Sequence, residues 1–109
     1  MHELSITRNV VAICAEHAGA GRVRRVTLEI GRLTAVLPGA VRFCFDLCAE
    51  GTALEGAALE IIETPGQGRC RVCGSAVPLT ERYGVCVCGS RDLALTAGED
   101  LKIREIEVI

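Results

Sequence analysis

Four of the seven cysteines in this 109-residue chain are crowded into one stretch, CRVCGSAVPLTERYGVCVCGS, beginning at Cys70. That stretch constrains the fold more than any other. It reads Cys70-x-x-Cys73-Gly and then Cys86-x-Cys88-Gly, with twelve residues between Cys73 and Cys86. Paired cysteines at this spacing match a closed tetrahedral Zn²⁺ site with thiolates at about 2.3 Å. The glycine after each second cysteine lets the chain turn and aim backbone N–H groups at the sulfurs. A segment of about 25 residues cannot bury a core, so the metal would supply its folding free energy. The second pair is one residue shorter than the usual Cys-x-x-Cys, so its turn must close differently. The alternative is a redox dithiol using Cys86 or Cys88. Redox Cys-x-x-Cys motifs usually open a helix, however, and a Gly-flanked loop suits that poorly. A site closed by four thiolates is structural and has no open position for catalysis.

The rest of the chain is patterned for two helices and three strands. LSITRNVVAICAEHAGAG places Leu4, Ile6, Val10, Ile13, Cys14 and Ala18 near helical spacing and stops at Gly-Ala-Gly, which predicts a helix over 4–18. RRVTLEIGRL alternates, with Val26, Leu28 and Ile30 on one face of a half-buried strand. A second helix lies in PGAVRFCFDLCAEG, with Pro38 in its first turn, Gly51 at its C-terminal cap and Val41, Cys44, Phe45 and Cys48 on one stripe. AALEIIET reads as a short strand ending before Pro65-Gly66. In DLKIREIEVI the phase changes between Leu101 and Ile103 and then Ile106 and Val108, so a bulge is expected near Arg104-Glu105. The expected architecture is α+β: two helices packed on a small three-stranded sheet, with an inserted zinc-ribbon-like domain. Residues 1–65 plus 99–109 would form the α/β domain, and residues 66–98 the zinc-binding domain.

Composition narrows the partners. Half the residues are apolar and the net charge is only −2, which suits a compact domain with a small appendage and argues against disorder. No apolar run reaches membrane-spanning length, and the start lacks a basic region followed by an apolar one. A soluble, cytoplasmic protein without a membrane partner is expected, and in that compartment disulfides are not. Residues 1–65 carry six Arg against eight Asp/Glu, and residues 66–109 carry six Lys/Arg against six Asp/Glu. Neither part offers the basic face that phosphate backbones require, and one Tyr, two Phe and no Trp leave few platforms for base stacking. Nucleic acid is therefore not an expected partner.

Several stretches together, MHELSI, VTLEIGRL, FCFD, ALEI, YGVC, CGS and the ending LKIREIEV, span nearly the whole chain. In this combination the chain resembles the HypA/HybF family, nickel metallochaperones of [NiFe]-hydrogenase maturation. The resemblance implies a nickel-binding α/β domain carrying a zinc domain. It places nickel at the family's Met-His-Glu terminus, here Met1, His2 and Glu3, and zinc at Cys70, Cys73, Cys86 and Cys88. It implies a nickel-binding maturation GTPase as partner and the hydrogenase large-subunit precursor as client, with urease maturation factors served by some members. A monomer or a homodimer is compatible with it. The chain departs from the family pattern in its Cys86-x-Cys88 pair and near the second helix. There many relatives have an acidic residue and this chain has VLPGA, so Leu37 and Gly39 supply no carboxylate.

The terminal residues have suitable chemistry. Methionine before a bulky histidine should resist removal, keeping His2 second. The α-amine, the His2 backbone nitrogen and the His2 imidazole could form fused chelate rings, and nitrogen donors in a square-planar set favour Ni²⁺ or Cu²⁺ over Zn²⁺. Deprotonating an amide for the metal makes binding weaken as pH falls. Glu3 could orient the imidazole, contribute its amide, or contact the partner; otherwise it is an acid near a helix N-terminus. Cys14 with His17, and Cys44 with Cys48, have helical spacing for a shared metal, but small buried cysteines are the commoner outcome. Arg22, Arg24 and Arg25 form a short basic run that reads as a solvated face or part of a partner surface. No Gly-rich phosphate loop is present, so GTP hydrolysis would belong to a partner and the chain is not expected to be an enzyme. The competing reading is a zinc-ribbon interaction or regulatory module whose N-terminus does nothing.

Overall fold

The computed structural model describes residues 2–109. The elements are α1 (His2–Ala18), β1 (Val23–Gly31), α2 (Pro38–Ala49), β2 (Ala58–Thr64), β3 (Gly66–Cys70), β4 (Ala76–Leu79), β5 (Leu93–Ala97) and β6 (Leu101–Val108). The strands form two three-stranded sheets, ordered β2-β1-β6 and β4-β3-β5. The chain divides into two compact units. One comprises residues 1–28, 36–62 and 102–109, the other residues 29–35 and 63–101.

In the first unit α1 packs against α2. Helix α1 buries Thr7, Val10, Val11 and Cys14, an i, i+3, i+4, i+7 stripe. Ile13, expected on the core face, is instead 55% exposed, because the stripe is centred on Val10 and Val11. Thr7 is tolerated inside since its hydroxyl donates to the Glu3 carbonyl at 2.6 Å. The helix begins at His2, two residues before the start expected from its apolar pattern, and ends at Gly19 with φ +59°. Helix α2 has Pro38 in its first turn and buries Val41, Phe45 and Ala49. Cys44 and Cys48 flank that stripe and are only half-buried. Gly51, at φ +75°, takes the left-handed position after the helix. Val26 and Leu28 of β1 are fully buried and complete this core. In β6 the two consecutive residues Arg104 and Glu105 are both exposed, the phase change read from the sequence, and Val108 beyond it is exposed as well.

The second unit is built round β3, whose sequence GQGRC contains no large apolar side chain. Strand β3 pairs antiparallel with β4, from Gly66↔Leu79 to Arg69↔Ala76, and with β5, ending at Cys70↔Leu93. No apolar periodicity announces this strand, because two of its three buried positions, Gly66 and Gly68, are glycines and the third is Cys70. A Cβ on Gly66 would lie 2.6 Å from the Leu33 side chain and from the Leu79 carbonyl. Pro78 lies on the edge strand β4, where a missing N–H costs no ladder bond. Residues 31–33 join this unit through Gly31 N–H to Asp100 O, Arg32 N–H to Thr64 O and Leu33 N–H to Gly98 O, at 2.8 to 2.9 Å. Apart from Cys70 and Cys86, the buried apolar side chains here are Ile30, Leu33 and Leu79. So small a core leaves most of the cohesion to the cysteine cluster.

Candidate metal centre

The pairing of β3 with β5 brings the two cysteine turns side by side. Cys70 faces Leu93 across the ladder, and one residue further the Arg71 N–H donates to the Asp92 carbonyl at 2.9 Å. All four sulfurs of Cys70, Cys73, Cys86 and Cys88 lie within 4.8 Å of one another. Cys70 Sγ is 3.7 Å from Cys88 Sγ, and Cys73 Sγ is 3.5 Å from Cys86 Sγ. A tetrahedron with arms of about 2.3 Å has edges of about 3.8 Å, so the cluster fits a Zn²⁺-sized ion. Cys70 and Cys86 are buried while Cys73 and Cys88 are exposed.

The short second pair is closed by a tighter version of the first turn. In both turns the first cysteine donates its N–H to the serine carbonyl of Cys-Gly-Ser, Cys70 to Ser75 and Cys86 to Ser90, each at 2.9 Å. The Gly74 N–H then reaches back four residues to the Cys70 carbonyl, whereas the Gly89 N–H reaches back three, to Cys86. Dropping one residue thus converts a four-residue closure into a three-residue closure. Gly74 at φ +79° and Gly89 at φ +90° absorb the reversal, and no non-glycine residue among those described has positive φ.

The electrostatics of the cluster call for a cation. The Cys73 N–H at 3.4 Å, with help from the Val72 N–H and the neighbouring thiols, draws the Cys70 thiol down to about 6. For Cys86, the Cys88 N–H pulls the other way, but burial and the surrounding sulfurs outweigh it and push the thiol up to about 11. One thiolate forms readily, and the next must form beside it. A divalent cation relieves that repulsion, which is why soft thiolates gathered this closely are a metal site.

At the other candidate site, Met1 lies outside the described residues. His2 is exposed in the first turn of α1. Glu3 has a defined contact that the sequence did not announce: its carboxylate accepts from the Leu37 N–H at 3.1 Å, at the N-cap of α2. That bond holds the Glu3 carboxyl below the ordinary carboxylate range.

The remaining candidates separate. Cys14 is buried, burial pushes its thiol up, and His17 is exposed. Among the described residues, no other group of three or more His, Cys, Asp or Glu gathers as the cysteine cluster does. The basic run is partly engaged: Arg22 donates to the Glu55 carbonyl at 2.9 Å, and Arg25 pairs with Glu60 at 3.6 Å and Glu107 at 3.1 Å. No helix among the described residues is long and apolar enough to cross a membrane.

Two solved structures share this fold over nearly the full length. One is titled "Solution structure of the Ni metallochaperone HypA from Helicobacter pylori", with TM-score 0.70 and 26% identity over 98% of this chain and 97% of that one. The other, "Solution structure of HypA protein", has TM-score 0.75 and 28% identity over 100% of this chain and 97% of that one. Fold and four-cysteine centre therefore define the class of small α+β metallochaperones. Hydrogenase maturation factor HypA of Nostoc punctiforme is 58% identical over 99% of this chain and 96% of its own. That of Geobacter metallireducens is 47% identical over 99% of both. The family model described as "Hydrogenase/urease nickel incorporation, metallochaperone, hypA" matches residues 1–108, and the chain belongs to the HypA family.

Proposed function

We propose that this chain binds Ni²⁺ at Met1, His2 and Glu3, holds one structural Zn²⁺ on Cys70, Cys73, Cys86 and Cys88, and delivers the nickel without catalytic turnover. Delivery runs through a nickel-binding maturation GTPase to the [NiFe]-hydrogenase large-subunit precursor in the cytoplasm. Urease maturation factors are the alternative recipient, in keeping with the double description of the family. The observation that carries this reading is the exposed His2 in the first turn of α1. The first four N–H groups of a helix have no acceptor in the helix ladder, so the His2 amide is not committed to secondary structure. Exposure lets a partner's ligands replace those of this chain one at a time, which suits a carrier. A helix N-terminus repels cations through its dipole. The ionised Glu3, held next to His2 by the Leu37 N–H, offsets that repulsion.

Zn²⁺ on the cysteine cluster neutralises the crowded thiolates and supplies folding free energy to a unit with a small core. Both metals then have distinct roles: a closed, tightly held site for structure and an open, labile one for cargo.

The test is complementation in a bacterium that makes a nickel hydrogenase but lacks its own HypA. The wild-type chain is expected to restore hydrogenase activity and His2→Ala to fail, with equal amounts of zinc-loaded protein in both strains. Equal rescue by His2→Ala would contradict the proposal and leave the interaction-module reading.

A further inference from the structure

Helix α2 completes the first unit's core with Val41, Phe45 and Ala49, yet it also carries large apolar side chains on its outer side. Phe43 is 83% exposed and Leu47 is 64% exposed. With Asp46 and Glu50 they line one surface depression of about 390 Å³. Positions 43, 46, 47 and 50 stand at i, i+3, i+4 and i+7. Four residues at that spacing frame the hole into which a facing helix inserts a side chain. The rim has one sign of charge. Asp46 and Glu50 take part in none of the ion pairs among the described residues. Arg42, the one cation in α2, is engaged elsewhere, donating to the Leu59 carbonyl at 3.0 Å.

We propose that this face of α2 receives an amphipathic helix of a partner protein, which seats an aliphatic side chain between Phe43 and Leu47 and sets Lys or Arg against Asp46 and Glu50. Leaving Phe43 in water sacrifices apolar burial that a facing helix would recover. A second copy of this chain fits the face poorly, because α2 against α2 brings the same acids together without a free cation. The N-cap of α2 is bonded to Glu3, so a helix docked here lies on the element that holds the start of α1. The proposal adds a recognition surface to the nickel-delivery reading and stands whether or not that reading holds.

The probe is a pair of synthetic helical peptides with leucine at heptad a and d positions and either lysine or glutamate at the flanking positions. Binding to the full chain is followed by amide chemical shifts. The lysine peptide is expected to shift amides of α2 around residues 43–50, and Phe43→Ser to weaken it about tenfold. The double variant Asp46→Lys/Glu50→Lys is expected to prefer the glutamate peptide. Zinc content and nickel titration should be unchanged in these variants, since none touches the cysteine cluster or His2; a failure of nickel delivery is thereby read separately. The proposal is overturned if neither peptide binds, if both bind alike, or if Phe43→Ser has no effect. It is also overturned if the wild-type chain sediments as a dimer that Phe43→Ser dissociates, which would make a second copy the occupant.

Discussion

Replacing Gly89 with alanine should weaken zinc retention without touching a ligand. Gly89 closes the shorter cysteine turn by donating its N–H to the Cys86 carbonyl at 2.8 Å, and its φ is +90°. An added Cβ would meet nothing within 4 Å, so neighbours contribute no clash and backbone strain is the whole effect. A left-handed conformation costs an ordinary L-residue about 1–2 kcal/mol. That cost falls on the folded, metal-bound turn and not on the relaxed metal-free chain, so it subtracts from the apparent binding free energy. The expected loss is about 5- to 30-fold in zinc affinity. Asparagine enters the left-handed region more easily, so Gly89→Asn should recover much of it. Gly39→Ala is the control: it also meets nothing within 4 Å, lies in the first turn of α2, and should leave zinc unchanged. The assay is competition with a chromophoric chelator. Affinity in Gly89→Ala within twofold of wild type, or no advantage of asparagine over alanine, would show that the left-handed turn at Gly89 does not limit zinc retention.

Three further outcomes follow from the same geometry. Phe45, only 2% exposed, should cost about 3–5 kcal/mol when replaced by alanine, whereas Phe43→Ala should stay within about 0.5 kcal/mol; urea denaturation separates them. Zinc binding at neutral pH should release at least about one proton, since Cys86 enters with its thiol pushed up to about 11, and affinity should fall as pH falls; calorimetry in buffers of different ionisation enthalpy reads the number, and binding without proton release would exclude four thiolate ligands. The Leu37 N–H lowers the Glu3 pKa in the fold, so its stabilisation is fully present above the unfolded value of about 4.3 and is lost as pH falls through the lower folded value. Glu3→Gln should flatten that part of the acid unfolding curve, and an unchanged curve would remove the Leu37 contact from the account.

Much of this was legible in the sequence because its signals are periodic or local. The apolar spacing gave both helices, and Pro38 and Gly51 marked the limits of α2. The cysteine spacing announced a metal cluster without needing the strands around it. What stayed hidden depends on contacts distant in the chain. Strand β3 has glycines at two of its three buried positions, so the hydropathy pattern is silent, and only the closeness of Leu33, Leu79 and Ala94 explains why glycine is needed there. The place of residues 29–35 in the second unit rests on backbone bonds to residues 64, 98 and 100. Glu3 could be read as an acid near a helix start, but its acceptor role toward Leu37, 34 positions away, could not. Helical periodicity likewise placed Ile13 inward, while packing turned α1 to bury Thr7 and Val11 instead.

The most direct test of nickel carriage is metal analysis and nickel titration of the chain with its native, untagged N-terminus, beside His2→Ala. One tightly held zinc is expected in both proteins, with nickel binding lost only in His2→Ala. Nickel binding that survives the substitution unchanged would take His2 out of the mechanism.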